Sequence, residues 1–361
     1  MMPRSLIRVL VIDDSAFSRQ TITRMLATSP LIEVVGVACD GEEALRKTFE
    51  LQPDLITVDL EMPRMDGFTF LRVVMSKRPT PVIVISGRTE EEDVFRALEL
   101  GAVEFVSKPS PRATLELNDI ERELVQKVHA VRDLRIEKVR KRIDAVPAMI
   151  REESDSPLSE RRVVVIGSST GGPAALMQIF SAFADAPQCS FAVAQHMPEK
   201  FTRGFAERID RLTRLRAIEA EGGEILSPGT VLIAPGGKHL EFESIGGRVV
   251  TKLIAADERD KYTPSVDRLF ESAAKHLGTD LLAVVLTGMG DDGRLGVHSV
   301  NLAGGSVIAE SESTAVIFGM PQQAIRTGLV DQILPLGEIA AAIQVGYRAS
   351  SRREQGHEGT S

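Results

Sequence analysis

The sequence contains little cysteine and no long apolar run. Its two cysteines, Cys39 and Cys189, are too few for a disulfide framework or a zinc cluster. The longest apolar runs, such as "LLAVVL", are far shorter than the roughly 20 residues that a membrane-spanning helix requires. The stretch "MMPRSLIRVLVIDD" enters a strand at once and lacks the apolar region of a signal peptide. We therefore expect a cytoplasmic protein that does not insert into a membrane.

An excess of positive charge is also lacking. The 43 lysines and arginines are outnumbered by 51 aspartates and glutamates, which gives a formal net charge of −8 at pH 7. Nucleic acid binding requires a basic patch that contacts phosphates, so this balance argues against nucleic acid as the main partner. The hydrophobic fraction of 43% and the charged fraction of 26% are typical of a soluble globular protein. A length of 361 residues indicates about two domains.

The first part of the chain alternates short apolar strands with amphipathic helices, from residue 8 to about 128. Five strands and five helices in this regular order predict a parallel, doubly wound sheet. The predicted strands are 8–12, 34–38, 55–59, 81–85 and 104–108. We expect this first domain to span residues 1–128.

The second part begins after a charged helix near 116–141 and a proline-containing stretch with little periodicity, which predicts a helical extension and linker over 129–160. Strands resume at residue 163, and the segment "GTVLIAPGGKHLEFESIGGRVVTKL" predicts antiparallel hairpins. We expect residues 161–348 to form an α/β domain with a mixed sheet and residues 349–361 to form a disordered tail. Predicted strands are 163–166, 190–195, 230–234, 248–253, 281–288 and 306–310, and helices are expected after Pro173, Lys200, Ser265, Asp292 and Met320.

Acidic residues follow two strands of the first domain. Asp13 and Asp14 come directly after the first strand, and Asp59 ends the third. Ligands of such sheets bind outside the carboxyl ends of the strands, where the strand order reverses. Three carboxylates meeting there would repel one another unless a cation joined them, and hard oxygen ligands suit Mg²⁺. The alternative is a solvated acidic rim with no ligand.

Two further side chains oppose that alternative. Ser86 follows the fourth strand and can donate a hydrogen bond to an anion, and Lys108 follows the fifth and can neutralise one. Carboxylates, a hydroxyl and an ammonium at four strand ends suit the handling of a phosphoryl group. That chemistry makes Asp59 the predicted acceptor.

The motifs "VIDDS", "TVDLEMPRMDG", "VIVIS" and "FVSKP" resemble those of response-regulator receiver domains in order and spacing, over about residues 6–128. The resemblance implies a flavodoxin-like fold and phosphorylation of Asp59 by a histidine kinase of the chemotaxis type. It also implies a Mg²⁺ site, phosphoryl-sensing side chains and a switching aromatic residue. The implied Mg²⁺ ligands are Asp13, Asp14, Asp59 and the Glu61 carbonyl, and the implied sensing residues are Ser86, Lys108 and Phe105.

The stretch "VVVIGSSTGGPAAL", residues 163–176, fails two phosphate-binding templates. The Walker A pattern would require lysine where Pro173 stands, and the dinucleotide pattern would require glycine where Ser169 stands. The stretch does match G-x-S-x-G, which presents its central serine on a tight strand-to-helix turn. The motif alone is weak, because such a pentapeptide is commonly an ordinary turn. A serine nucleophile also needs a base and an orienting carboxylate.

Only one of the six histidines, His196, directly follows a predicted apolar strand of the second domain. We expect the other five to be surface or structural residues. Asp291 and Asp292 follow another apolar strand in "LLAVVLTGMGDDG". If these strands are parallel, Ser169, His196 and an aspartate project from one edge of the sheet, as a hydrolytic triad requires. The chain order Ser, His, Asp differs from the Ser, Asp, His order of α/β-hydrolases, which disfavours that fold.

The motifs "IGSSTGGP", "AQHMP", "PSVD" and "LTGMGDDG" resemble the catalytic domain of the chemotaxis protein-glutamate methylesterases, the CheB family, over about residues 162–345. The resemblance implies that Ser169 is the nucleophile, His196 the general base and Asp292 the orienting acid. It implies that backbone N–H groups of Thr170 and Met289 bind the oxyanion, and that the hydrolase needs no cofactor.

The same resemblance implies hydrolysis of glutamate γ-methyl esters, and deamidation of glutamines, on the cytoplasmic helices of chemoreceptors, with activation by phosphorylation of the receiver. Two positions depart from the family's common pattern, because Ser168 and Thr263 stand where a small non-hydroxyl residue and an arginine are frequent. An esterase of another protein ester in a non-motility pathway is the main alternative. A transcription factor would need a helix-turn-helix and a basic surface, neither of which is visible, and a non-catalytic adaptor would not need the triad.

Overall fold

The computed structural model describes residues 6–87, 91–108, 114–130, 134, 136, 139 and 162–345. The predicted linker falls mostly outside these residues, and the predicted tail lies entirely outside them. Among the helices of the described ranges, none is both long and apolar enough to cross a membrane.

The first domain is a five-stranded parallel sheet in the order β2-β1-β3-β4-β5, with helices between the strands. This confirms the predicted doubly wound fold. The reversal of strand order falls between β1 and β3, so the carboxyl ends of these two strands border the crevice where ligands bind in such folds. The elements are β1 (Ile7–Ile12), α1 (Ala16–Leu26), β2 (Ile32–Ala38), α2 (Gly41–Leu51), β3 (Leu55–Val58), α3 (Gly67–Lys77), β4 (Val82–Ser86), α4 (Glu91–Glu99), β5 (Glu104–Ser107) and α5 (Thr114–Ala130).

Local sequence explains where the first three helices begin. Ser15, Asp40 and Asp66 precede them, and each side-chain oxygen accepts a hydrogen bond from a backbone N–H of the first turn. Such caps satisfy donors that the helix itself leaves unpaired. All four residues of β3 are buried, as expected for a central parallel strand covered on both faces.

The second domain contains a seven-stranded sheet in the order β14-β13-β12-β6-β7-β9-β8, and every neighbouring pair is parallel. The predicted α/β class is confirmed. Here β6, the first strand, is central, with β7 on one side and β12 on the other. The elements of this domain are β6 (Arg162–Ser168), α6 (Gly172–Ser181), β7 (Cys189–Gln195), α7 (Glu199–Leu212), β8 (Arg216–Glu219), β9 (Thr230–Ile233), β10 (Lys238–Ile245), β11 (Arg248–Ala255), α8 (Val266–Leu277), β12 (Leu281–Val285), α9 (Arg294–Leu302), β13 (Ser306–Glu310), α10 (Met320–Arg326), β14 (Gln332–Leu334) and α11 (Leu336–Val345).

The mixed sheet that the sequence suggested is not formed. The antiparallel pairing is confined to β10 and β11, which make a separate two-stranded sheet. Their turn, Gly246–Gly247, has φ values of 58° and 79°, a left-handed backbone that glycine adopts without strain. The "PGG" turn before β10 joins no antiparallel pair, because β9 lies between β7 and β8 in the parallel sheet. The "PGG" turn therefore leads out of the main sheet, and only the "IGG" turn makes a hairpin.

Candidate functional site

The acidic residues of the first domain converge as the sequence predicted. Carboxylate oxygens of Asp13, Asp14 and Asp59 lie within 4.8 Å of one another. Lys108 reaches the same point, with its Nζ 2.6 Å from Asp59 Oδ2 and 3.1 Å from Asp13 Oδ2. The loops after β1, β3 and β5 thus bring three carboxylates and one ammonium to the carboxyl edge of the sheet.

Burial dominates the pKa values of the two buried carboxylates, Asp13 and Asp59. It raises the pKa of Asp59 to about 6, although the hydrogen bond from Lys108 works in the opposite direction. The pKa of Asp13 is raised by burial as well. Burial alone would lower the pKa of Lys108, but its hydrogen bond to Asp59 and the negative charges of Asp59 and Asp13 outweigh burial and raise it. The two buried carboxylates, Asp13 and Asp59, are therefore costly to hold ionised without a further positive charge.

The donor set fits a hard divalent cation. Asp13 Oδ2 is buried and lies near the Lys108 ammonium, yet it accepts no well-directed hydrogen bond. This oxygen can therefore still accept a ligand, and it lies beside the buried carboxylate of Asp59 and the exposed carboxylate of Asp14. Such a set of oxygen ligands suits Mg²⁺. Glu61 lies beside this group, because its backbone N–H donates to Asp59 Oδ1 at 3.4 Å. The Glu61 carbonyl stays a predicted ligand.

Ser86 and Phe105 are the remaining two residues that the receiver resemblance implies. Ser86 is the last residue of β4, and its side chain falls outside the part of the chain that the structure describes. Phe105 is buried, and its ring centroid lies 4.4 Å from that of Phe201 in the second domain. Lys127 donates to the Phe105 carbonyl at 2.6 Å. Phe105 therefore lies between the two domains, with its ring turned inward.

In the second domain, the three residues predicted as a triad follow three adjacent strands. Ser169 follows β6, His196 follows β7 and Asp292 lies beyond the end of β12. Because these strands are parallel, their carboxyl ends share one edge. The backbone connects them further, since Ser169 N–H donates to Thr287 O at 3.0 Å and His196 N–H donates to Ser168 O at 3.0 Å.

The predicted base and acid are in direct contact. His196 Nε2 lies 2.8 Å from Asp292 Oδ2, and Asp292 is only 2% exposed. A carboxylate accepts the hydrogen bond, so Nε2 is assigned the proton and Nδ1 keeps the lone pair. In the neutral imidazole, Nδ1 is then the nitrogen that can accept a proton.

Asp292 is held in place by the first turn of α8. Its carboxylate accepts hydrogen bonds from Val266 N–H at 2.7 Å, from Asp267 N–H at 2.8 Å and from the Ser265 hydroxyl at 3.1 Å. Burial alone would raise the pKa of Asp292, but His196 and these backbone donors outweigh it and lower the pKa. The positive end of a helix favours the same ionised state. Asp292 is thus positioned to orient and stabilise a charged imidazole.

The turn that carries Ser169 is tightly packed. Gly171 has a φ of 77°, and Pro173 stands in the first turn of α6. A Cβ on Gly288 would lie 2.8 Å from Ser169 Cβ, so only glycine allows the two loops to approach this closely. The predicted oxyanion residues, Thr170 and Met289, belong to these loops and line the same cleft as Ser169.

Tyr262 belongs to the site, although sequence reasoning missed it. Its ring stacks on His196, with centroids 5.0 Å apart and an angle of 8° between the planes. Its hydroxyl donates to Asp291 Oδ1 at 3.0 Å, and Lys261 Nζ lies 2.6 Å from the same oxygen. Asp291 is therefore engaged on the rim, while its neighbour Asp292 is the buried partner of His196. Only the position of "KYT" directly before "PSVD" could have signalled this residue.

The cleft that contains Ser169 has a volume of about 690 Å³ and is bordered by both domains. Ser169, His196 and Tyr262 are among the residues on one side, and Glu123 and Lys127 of α5 are among those on the other. The domains also meet outside the cleft, where the rings of Phe95 and Phe205 lie 5.3 Å apart and Arg208 pairs with Glu99. The first domain thus covers part of the entrance to the predicted triad.

Comparisons with known proteins agree with this two-domain arrangement. A family model described as CheB methylesterase matches residues 164–343, and one described as response regulator receiver domain matches residues 9–118. Protein-glutamate methylesterase/protein-glutamine glutaminase 3 of Geobacter sulfurreducens is 48% identical, over 93% of this chain and 96% of its own length. A relative of the same name, numbered 1, from Myxococcus xanthus is 46% identical, over 95% and 98%. The solved catalytic domain of Thermotoga maritima CheB methylesterase is 41% identical over 51% of this chain and 97% of its own, with a TM-score of 0.49.

Proposed function

The chain belongs to the CheB methylesterase family, and we propose that it is a phosphorylation-activated serine hydrolase that removes methyl groups from glutamate γ-methyl esters on chemoreceptor helices. The names of its relatives support this substrate class and a second activity, the deamidation of glutamine. The observation that carries the proposal is the His196–Asp292 hydrogen bond at the strand ends, in which Asp292 is buried and His196 lines the same cleft as Ser169.

The proposed reaction begins with attack of Ser169 Oγ on the ester carbonyl carbon, while His196 Nδ1 takes the hydroxyl proton. Asp292 stabilises the imidazolium that forms, through the bond at 2.8 Å. The imidazolium then protonates the methoxide as the C–O bond breaks, and methanol leaves an acyl-enzyme. Water, deprotonated by His196, hydrolyses that ester and restores Ser169 with a free glutamate. With glutamine, the same steps release ammonia instead of methanol.

The oxyanion of each tetrahedral intermediate is proposed to lie against backbone N–H groups of Thr170 and Met289. The Thr170 segment is held rigidly, because the Thr287 hydroxyl donates to the Thr170 carbonyl at 3.0 Å. One such donor contributes on the order of 3 kcal/mol to transition-state stabilisation. The hydrolase requires no cofactor in this scheme.

Phosphorylation is proposed to occur on Asp59, with a histidine kinase as the phospho-donor. A carboxylate oxygen of Asp59 attacks the phosphorus of the kinase's phosphohistidine, and the P–N bond breaks with its electron pair going to the kinase imidazole, which leaves. Lys108, 2.6 Å from Asp59 Oδ2, neutralises the charge that arrives. A Mg²⁺ ion held by Asp13, Asp14 and Asp59 would supply further positive charge. Ser86 and Phe105 are the proposed sensing and switching residues.

Regulation is proposed to act by access to the cleft. A receptor helix is about 10–12 Å wide with its side chains, and α5 of the first domain lies at the entrance that such a helix would occupy. Phosphorylation would favour an arrangement in which the first domain has moved away, a shift of population between two states.

The test is methanol release from methylated receptor, measured with and without acetyl phosphate and Mg²⁺. Ser169→Ala should abolish release and leave Asp59 phosphorylation intact, while Ser227→Ala, an exposed serine in the same domain, should not change release. Release that persists in Ser169→Ala would refute the proposed nucleophile. Release from the unchanged chain that is the same with and without phospho-donor would refute the proposed activation.

A further inference from the structure

Ser168 and Gln195 directly precede the proposed nucleophile and base, and the mechanism above gives them no role. They are the last residues of β6 and β7 and face each other in the parallel register. Both are essentially fully buried, at 0% and 1% exposure. The residue pair that follows them, Ser169 and His196, is therefore carried by the ends of two strands that are already in register.

Their side chains form a closed hydrogen-bond network. The Ser168 hydroxyl donates to Gln195 Oε1 at 2.6 Å. Gln195 Nε2 donates to the carbonyl oxygen of Ser169 at 3.0 Å and to that of His196 at 2.9 Å. The two donors of the amide and its acceptor are all used, and the reversed amide would set its oxygen against two carbonyls. The partners thus fix the orientation of the Gln195 side chain.

The space around the amide is equally restricted. A Cβ on Gly172 would collide with Gln195 Oε1, so glycine at the start of α6 is needed for the amide to fit. Gly172 N–H also donates to the Ser169 carbonyl at 2.7 Å, which gives that oxygen a second donor. The Ser169 backbone is consequently held by the start of α6 on one side and by Gln195 on the other.

We propose that Gln195 is a positioning residue that sets the separation of Ser169 and His196, and that Ser168 holds its amide in place. The inference rests on the proposed function, because it assigns a role in that reaction. A single amide bonded to both main chains resists any change in their distance, and displacement of a reacting group by about 1 Å can cost about 100-fold in rate. This role also gives a function to the hydroxyl of Ser168, the first serine of "GSSTGG", which bonds Gln195 and points away from the cleft.

The test compares Gln195→Met, which keeps the length of the side chain but has no donor, with Ser168→Ala, which leaves both Gln195 donors present. Gln195→Met should lower kcat for methyl ester hydrolysis by about 10- to 100-fold with KM within about twofold. Ser168→Ala should lower kcat by less. Ser272→Ala is the matched control, since that hydroxyl also bonds main chain on two elements, at Leu269 O and Phe242 N–H, away from the cleft. The control should retain kcat.

Two measurements separate this role from a merely structural one. The rate constant for labelling of Ser169 by a fluorophosphonate reports the reactivity of the nucleophile without a methyl ester, and it should fall in Gln195→Met. Urea unfolding gives the stability of each variant. A Gln195→Met protein that is folded but labels and turns over at the unchanged rate would overturn the proposal. If the unchanged chain labels normally but releases no methanol, the proposed function fails, while the labelling comparison still decides the role of Gln195.

Discussion

Glu99 in α4 and Arg208 in α7 form an ion pair between the two domains, and its removal should raise basal activity. Arg208 donates two hydrogen bonds to Glu99 Oε1, at 2.5 and 3.2 Å. The side chain of Arg208 is 9% exposed and that of Glu99 is 44% exposed. Glu99→Gln removes the negative charge, keeps the shape, and leaves a nearly buried guanidinium without its ionic partner.

The magnitude follows from this half-buried geometry. Hydrogen bonds to charged groups contribute about 1.5–3 kcal/mol when well buried. Solvent screening at the exposed carboxylate reduces this, so we take about 1 kcal/mol as the loss of closed-state stability. That energy corresponds to about a fivefold change in the ratio of open to closed molecules. Basal methanol release from methylated receptor should rise by about that factor, and the fully phosphorylated rate should not change.

Arg211 and Glu92 offer a matched control in the same interface. Their atoms lie 2.8 Å apart, but the two side chains are 53% and 73% exposed. Exposed pairs contribute little and are screened by salt, so Glu92→Gln should raise the basal rate by less than about twofold. A basal rate that is unchanged in folded Glu99→Gln would contradict the idea that this contact holds the cleft closed. An equal rise of the basal rate in Glu99→Gln and Glu92→Gln at high salt would contradict the same idea.

Substitutions at three further positions test the roles of Tyr262, Asp59 and Asp267. Tyr262→Phe keeps the ring on His196 and loses the bond to Asp291, so methanol release should fall only a fewfold. Tyr262→Leu also removes the ring, so methanol release should fall further. Equal losses of steady-state kcat in the two variants would argue against a role for the stacked ring. Asp59→Asn should leave basal release intact and remove its stimulation by acetyl phosphate, and stimulation that persists would exclude Asp59 as the acceptor. Burial raises the pKa of Asp267 from 3.8 to about 6, so folded Asp267 binds its proton more tightly than the unfolded chain does. The stability that this group contributes is therefore present at low pH and is lost as pH rises from about 4 to 6. Urea unfolding should show that the free energy of unfolding of the wild-type protein falls relative to that of Asp267→Asn across this range. Free energies of the two proteins that run parallel with pH would contradict this.

Much of the site could be predicted because parallel strands impose a shared edge. Ser169, His196 and Asp292 each come shortly after an apolar strand, and the period of the sequence is enough to place them together. The acidic group of the first domain follows by the same reasoning. In both domains the parallel sheet positions the site residues, and the apolar strand pattern of the sequence predicts that sheet.

Tyr262 could not be predicted in this way, because tertiary contacts place its loop. His239 on β10, expected to be a surface or structural histidine, is completely buried and joins that loop to the hairpin. Its Nε2 lies 2.8 Å from Asp260, and its Nδ1 accepts from Ser265 N–H at 3.1 Å. The local sequence pattern cannot predict contacts between residues that lie this far apart in the chain.

Two strands that the sequence does not predict are short and only partly apolar. Strand β8 reads "RAIE" and β14 reads "QIL", and both lie at edges of the sheet, where few neighbouring residues constrain the pattern. Helix α11 is not predicted either, although its ten residues are strongly apolar, and the main sheet of the second domain is wholly parallel rather than mixed. For the two edge strands and for the direction of the sheet, the pairing partner, rather than the segment itself, decides the structure.

The proposed mechanism requires that Ser169 forms an ester with the glutamyl side chain of the substrate. Rapid acid quench of the enzyme with a methylated receptor peptide, followed by peptide mass spectrometry, tests this directly. We expect a transient adduct on Ser169 whose mass equals that of the peptide less methanol, and no adduct on Ser168, whose hydroxyl is bonded to Gln195. An adduct on Ser168, or methanol release by an enzyme in which Ser169 is never acylated on the timescale of turnover, would contradict it.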